Sequence, residues 1–144
     1  MLGLAATRAC GAHPFFVPPE HTLRSREILG PRALLAPGQG VILEADPGRS
    51  AAIADAYMRR YLKRPHYVRN LHRLGYSPED TAGSGSPLLV DDIIAAGPVD
   101  RVASRIRAHL EAGADHVCIN VVGPQAGEPL LAAWRQLARA LLAS

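Results

Sequence analysis

The sequence is short of cysteine, short of aromatic residues and without a long apolar run, and each shortage removes a class of protein. Two cysteines, Cys10 and Cys118, stand far apart among 144 residues, which gives neither a disulfide framework nor the paired spacing of a zinc site. Cys118 falls inside a strand pattern and reads as a buried thiol. Aromatic residues are 5% of the chain, and the positive charges are nearly all arginine and scattered. A nucleic-acid surface needs a basic stripe with interleaved aromatics, so no nucleic-acid partner is expected. No span approaches the ~20 apolar residues of a membrane helix, and no membrane partner is expected. Met1 to Ala6 lacks a basic leader, and Arg8 interrupts the apolar start before Cys10. That is not a secretory signal, and a cytoplasmic location is expected. No Gly-x-Gly follows a strand to cradle a phosphate with backbone N–H groups.

What is present is an ordinary globular composition, 48% hydrophobic and 20% charged with a net charge of +3, in a length that suits one domain. The clearest pattern runs from Gly97 to Val122. Pro98 suits a first helical turn and Gly113 a left-handed helix end. Between them Val99, Val102, Ile106 and Leu110 recur at three- and four-residue steps, with Asp100, Arg107 and Glu111 off the stripe. His116 to Val122 then reads as a strand with β-branched residues at 117, 119 and 121 alternating with His, Cys and Asn. A helix leading through a tight turn into such a strand is the second half of a βαβ unit. The strand should be parallel to its neighbour, its aliphatic face under the helix and its polar face turned elsewhere.

In chain order, Met1 to Cys10 reads as a helix stopped by Gly11. Residues 12–17 form a short strand, in which Pro14 cannot donate to a ladder and belongs near the strand's start or an unpaired edge. Pro18-Pro19 opens a helix carrying Leu23 and Ile28, closed by Gly30-Pro31. Residues 40–46 form a second strand, and Asp46-Pro47 caps a helix with Ile53, Ala54, Tyr57 and Tyr61 on one side. From His66 to Gly97 the pattern gives short helical pieces: Val68, Leu71 and Leu74 up to Gly75, then a Gly/Ser loop, then Ser86-Pro87 capping a helix through Ile94 to Gly97. Gly123 to Gly127 is a turn, and Pro129 opens a terminal helix whose Leu130, Trp134, Leu137 and Leu141 read as core. The expected strands are parallel and side by side in the order 12–17, 40–46, 116–122. A full eight-unit barrel takes ~250 residues and carries its active site where strands end in βα loops. Three such units with a helical insertion at 64–97 fit the length here.

Five segments carry a resemblance. They are Gly11 to His21 with Ala33 to Pro37; Leu43 to Pro47; Tyr67 to Leu71 before Leu74-Gly75-Tyr76; and Ala112 to Cys118. Together and in this order they resemble the C-terminal half of a luciferase-like monooxygenase, in the branch of coenzyme F420-dependent (deazaflavin) oxidoreductases. The resemblance implies an α/β fold, the C-terminal portion of a (β/α)8 TIM barrel. Residues 1–144 would then hold strands six to eight plus the insertion, with Met1 in the helix after the fifth strand. Three positions depart from the family pattern: Cys10 for a usual Asp, Gly38 for a common acidic residue, and Asn120 for a usual Gln. Strands one to five, which provide most of the family's cofactor pocket, are not in this sequence.

The polar residues that alternation turns towards the barrel mouth are His13, Glu44 and Asn120. These are the candidate cofactor-binding residues, for F420 or alternatively FMN. Each has a plainer reading. His13 beside Pro14 can be a packed strand residue whose ring satisfies a backbone group, and Glu44 can cap the next helix or face solvent. Asn120, an amide amid Val and Ile, has to meet a ligand or a fixed water. His116 and Cys118 share a face, but two ligands do not make a metal site, and no metal is expected. No catalytic residue is assigned. In the complete family a reduced cofactor transfers hydride to or from a small organic substrate; this chain alone is expected to be inactive. The alternative is a catalytically silent half-barrel that serves as an assembly or interaction module. Self-association through exposed sheet edges is expected in either case.

Overall fold

In the computed structural model, which describes residues 2–123 and 130–142, one extended stretch from Leu34 to Ile42 organises the sheet. Its first half, β2 (Leu34–Leu35), pairs in parallel with β1 (Gly11–Ala12). Its second half, β3 (Gly38–Ile42), has β4 (Ile94–Ala96) on one side and β5 (Cys118–Val121) on the other, both parallel to it. The hydrogen bonds separate the two sides. Even-numbered N–H groups reach back to the first strand, Leu34 to Cys10 at 2.9 Å, Ala36 to Ala12 at 3.0 Å and Gly38 to Pro14 at 2.8 Å. Odd-numbered carbonyls serve the last strand, Pro37 accepting from Cys118 at 2.9 Å and Val41 from Val122 at 2.8 Å. The expected parallel order of first, second and third strand therefore holds, but the second strand lies at 34–42 in place of the expected 40–46, because its edge pairs with the first strand from Leu34 on and the chain leaves the sheet after Ile42 for the α3 cap at Asp46.

Two further details differ from expectation. The first strand is shorter than 12–17, because after an isolated bridge from Phe15 to Gly38 the chain turns away at Phe16, which has φ 61°. A left-handed conformation costs a bulky residue of the order of 1–2 kcal/mol. Phe16 is 2% exposed among Tyr57, Tyr61 and Tyr67, with ring centroids 5.1–6.2 Å away, and that packing holds it there. Its departure frees the upper half of the strand edge, and β4 fills the gap. Residues 94–96, expected to be helical, are thus a strand: Ile94, Ala95 and Ala96 are a short apolar run whose tertiary pairing overrides the helical pattern leading into it.

Helices cover both faces. Even positions of β3 face a core of Ile42, Ile53, Tyr57, Met58, Leu71, Leu89 and Ile94, contributed largely by α3 (Pro47–Leu62), α4 (Pro65–Leu74) and α5 (Pro87–Ile93). Odd positions face a second core of Val41, Ala95, Val102, Ile106, Val117 and Leu137, built on α6 (Val99–Glu111) and α7 (Leu131–Leu142). The alternation at 117, 119 and 121 is as read, with the polar positions on the opposite face. Caps follow the sequence too: Asp46 accepts from the Arg49 N–H, Ser86 from the Leu89 N–H, and Gly113 takes φ 98°.

Two helices face differently from their apolar patterns. On α6 the buried line is Val102, Ala103, Ile106 and His109, while Leu110 is 44% exposed. On α2 (Pro19–Leu29), Leu23 and Ile28 are exposed and Thr22, Ser25 and Leu29 are buried. One buried polar chain explains both. The Thr22 hydroxyl meets His109 Nδ1 at 2.8 Å, His109 Nε2 meets Gln39 Oε1 at 2.9 Å, and Gln39 Nε2 donates to the carbonyls of Gly40 and Ile93. Because every member is satisfied, the chain can be buried where an apolar stripe was expected. The N-terminal helix α1 (Leu2–Arg8) forms as read. On α7 only Leu137 of the apolar stripe is fully buried, and Trp134 is 44% exposed. The turn at 123–127 and the Pro129 helix start lie outside the described residues beyond Gly123.

Candidate functional site

The three sequence candidates stand in a line along the organising stretch. His13 binds at Ala36, Asn120 is paired in register with Gly40, and Glu44 follows four residues beyond Gly40. The His13 ring lies 3.3 Å from where a Cβ on Gly38 would stand, so at ~3.3 Å per residue it is about 7 Å short of Gly40, and Glu44 is about 13 Å beyond Gly40. No single small molecule touches all three; only an elongated ligand could span them.

His13 has a structural occupation. A parallel ladder would have the N–H of residue 14 donate to the Ala36 carbonyl, but residue 14 is proline and has no N–H. His13 Nδ1 donates to that carbonyl instead, at 2.5 Å, so the ring satisfies a backbone group of the neighbouring strand. Glu44 has one as well. Its Oε1 accepts from the Asp46 N–H and from Arg49 Nη2, both at 2.9 Å. The Arg49 bond first, then the backbone bond, hold its carboxyl below the usual carboxylate range. Glu44 thus braces the entry to α3, and it also lines a crevice of about 710 Å³ at the C-terminal ends of β3 and β4.

Asn120 is different: its side chain is exposed on the even-numbered face of the sheet while Ile119 and Val121 on either side of it turn into the opposite core. Its neighbour is Tyr57 of α3. The Tyr57 hydroxyl lies over the backbone of Gly40, 3.0 Å from where a Cβ would stand. Burial, and then Tyr61, push the phenol well above its ordinary range, with the Asn120 amide working in the opposite direction. Tyr57 therefore stays protonated and acts as a hydrogen-bond donor at any physiological pH. Asn120, which can both donate and accept, and Tyr57, which donates, form the polar pair of this face.

Tyr57 is the residue that sequence reading assigned only to the core. The signal that could have found it is Gly38-Gln39-Gly40, two glycines on one face of a strand. Glycine inside a strand marks close approach of something large. A Cβ at Gly38 would stand 2.6 Å from the Phe15 ring, and one at Gly40 would meet Tyr57. The glycines admit aromatic rings of the same chain and so form no phosphate cradle. Phe15, Phe16, Tyr57, Tyr61 and Tyr67 make a continuous wall, with centroids 4.8–6.4 Å apart.

No protein-family model matches the chain, and no curated protein does. Among solved structures it is similar to an F420-dependent secondary alcohol dehydrogenase in complex with an F420-acetone adduct. The TM-score is 0.64 at 12% identity, over 97% of this chain and 45% of that one. At that identity the likeness is one of fold. This chain is a parallel α/β structure corresponding to a part of a (β/α)8 barrel enzyme, and it spans less than half of that enzyme's length.

Proposed function

We propose that this chain forms part of an F420-dependent oxidoreductase of the luciferase-like monooxygenase superfamily, in which hydride passes between the reduced cofactor and a small organic substrate. The observation that carries the reading is the exposed amide of Asn120 beside the Tyr57 hydroxyl, on a parallel sheet whose path follows an F420-dependent enzyme. The described residues fit one end of such a cofactor and not the other. Asn120 and Tyr57 would hold the polar edge of a heterocyclic ring, and the wall of Phe15, Tyr61 and Tyr67 would keep water from it. The glycine pair that might have taken a phosphate is closed by rings. When bound, the cofactor supplies the hydride chemistry; the chain's own share is to orient and to exclude water.

A second reading has its own support. His13 and Glu44 are both engaged within the chain, as they would be in a catalytically silent half-barrel that serves as an assembly module. Titration of F420, and in parallel FMN, into the nitrogen-labelled chain separates the two. The first reading expects saturable movement of the Asn120 side-chain amide signal, lost in Asn120→Ala, with affinity weaker than micromolar because one wall alone contributes few contacts. The absence of any saturable movement at Asn120 would leave the assembly module as the better account.

A further inference from the structure

The crevice at the strand ends has an origin in the topology that does not depend on the reading above. β3 and β4 are adjacent and parallel, in register from Gly40 with Ile94 to Ile42 with Ala96. The chain leaves β3 for α3, which packs on the even-numbered face, and leaves β4 for α6, which packs on the odd-numbered face. It must do so. The step from β3 to β4 runs one way across the sheet, and the step from β4 back past β3 to β5 runs the other way. With crossovers of one hand, reversing direction moves the helix to the opposite face. Two neighbouring strands whose connections part to opposite faces leave a gap outside their C-terminal ends, the place where open α/β sheets bind ligands.

Among the described residues no side chain closes the gap. It is a solvent-open crevice of about 710 Å³, within the volume range of small-molecule sites. Its walls include Ala51 and Ala54 of α3, Gly97 and Val99 beyond β4, and the polar groups of Ser50 and Glu44. Its two ionisable side chains cancel and each is already paired, Glu44 with Arg49 and Arg101 with Asp91. The lining therefore offers neither sign of charge an unpaired counter-charge, and an uncharged ligand leaves both pairs intact.

We propose that this switch-point crevice binds a small uncharged organic molecule, its apolar body against Ala51, Ala54 and Val99 and its polar group towards Ser50 and Glu44. The test uses the full chain, nitrogen-labelled, and phenylnaphthylamine as an uncharged probe, followed by amide NMR. Saturable shifts should cluster at Gly48, Ala51, Gly97 and Val99. Ala51→Phe, which fills the crevice from an exposed helix position, should weaken binding about ten-fold or more, and Ala52→Phe, one residue along and not in the lining, should leave it unchanged. Circular dichroism establishes that the variants fold, with Ser50→Phe as the second filling variant. Anilinonaphthalene sulfonate, which adds a negative charge to similar rings, should bind more weakly at this site. Shifts centred elsewhere, unchanged affinity in both filling variants, or tighter binding of the sulfonate would each overturn the proposal.

Discussion

His13 supplies to Ala36 the hydrogen bond that Pro14 cannot. The imidazole Nδ1 sits 2.5 Å from the Ala36 carbonyl, the acceptor that a residue with an N–H at position 14 would serve. A strand containing proline is thereby kept in a ladder, with Gly38 still donating to the Pro14 carbonyl at 2.8 Å. His13→Ala should leave a buried carbonyl without a donor and cost about 1–3 kcal/mol. Pro14→Val restores an N–H at that place, so the double variant should recover much of the loss. Urea unfolding of the four proteins measures the coupling; strictly additive effects would show that the two residues do not share one acceptor.

Gly40 and Tyr57 form a second such pair. A methyl at position 40 would stand 3.0 Å from the Tyr57 hydroxyl oxygen and 3.2 Å from the ring carbon bearing it, closer than packed atoms tolerate without moving a ring that is itself locked among others. Gly40→Ala should therefore destabilise by roughly 1–3 kcal/mol, the usual cost of overpacking. Tyr57→Phe removes the nearest of those atoms, and in that background the same substitution should cost less. An equal cost in both backgrounds would mean that the hydroxyl does not set the spacing.

These two pairs mark how far the sequence could be read. The strand order, the caps at Asp46 and Ser86 and the helix end at Gly113 were legible because each rests on a local rule: alternation, a side-chain acceptor, a left-handed glycine. What was illegible depended on partners distant in sequence. β4 is a strand because Phe16 leaves an edge vacant nearly eighty residues earlier. His109 is buried in place of Leu110 because Thr22 and Gln39 wait for it. Neither choice has a local signature.

The candidate site divides along the same line. The polar face of the last strand followed from alternation, and Asn120 is on it and exposed. The occupations of His13 and Glu44 were each foreseeable as the plainer alternative, a ring satisfying backbone and a carboxylate at a helix start. Tyr57 was hidden by its own pattern, since a tyrosine at helical spacing with Ile53 and Tyr61 is core by every periodicity argument. Only the glycine facing it reveals the polar end.

Self-association should be visible in solution. β5 pairs only with β3 among the described residues, and Leu131, Trp134 and Leu142 of α7 are exposed. An open strand edge with apolar residues on the terminal helix is a surface for pairing with another chain. Sedimentation should report a concentration-dependent mass, accompanied by a shift of fluorescence to shorter wavelength, for which Trp134 is the only tryptophan. A constant monomer mass with unshifted emission across the same range would remove the expectation.

Acid should weaken the fold through His109. Burial first, and then Arg105 and His21, push this imidazole from its ordinary 6.5 down to about 4, and it is held neutral between Thr22 and Gln39. The hydrogen on Nε2 goes to Gln39 Oε1, leaving Nδ1 to accept from the Thr22 hydroxyl. In the folded chain His109 therefore binds no proton near pH 6, whereas in the unfolded chain it does. The unfolded state gains as pH falls through 6.5, and the gain stops near 4, where the folded imidazole also titrates. Between pH 7.5 and 5 this group should cost about 2 kcal/mol of stability. His21, lowered by burial and then by Arg24, adds in the same direction, so the comparison has to isolate one histidine. His109→Gln cannot titrate and should lose less stability over that interval than the wild-type chain, whatever its stability at pH 7.5. Urea unfolding at the two pH values gives the difference directly; equal losses in both proteins would show that His109 carries no linked proton.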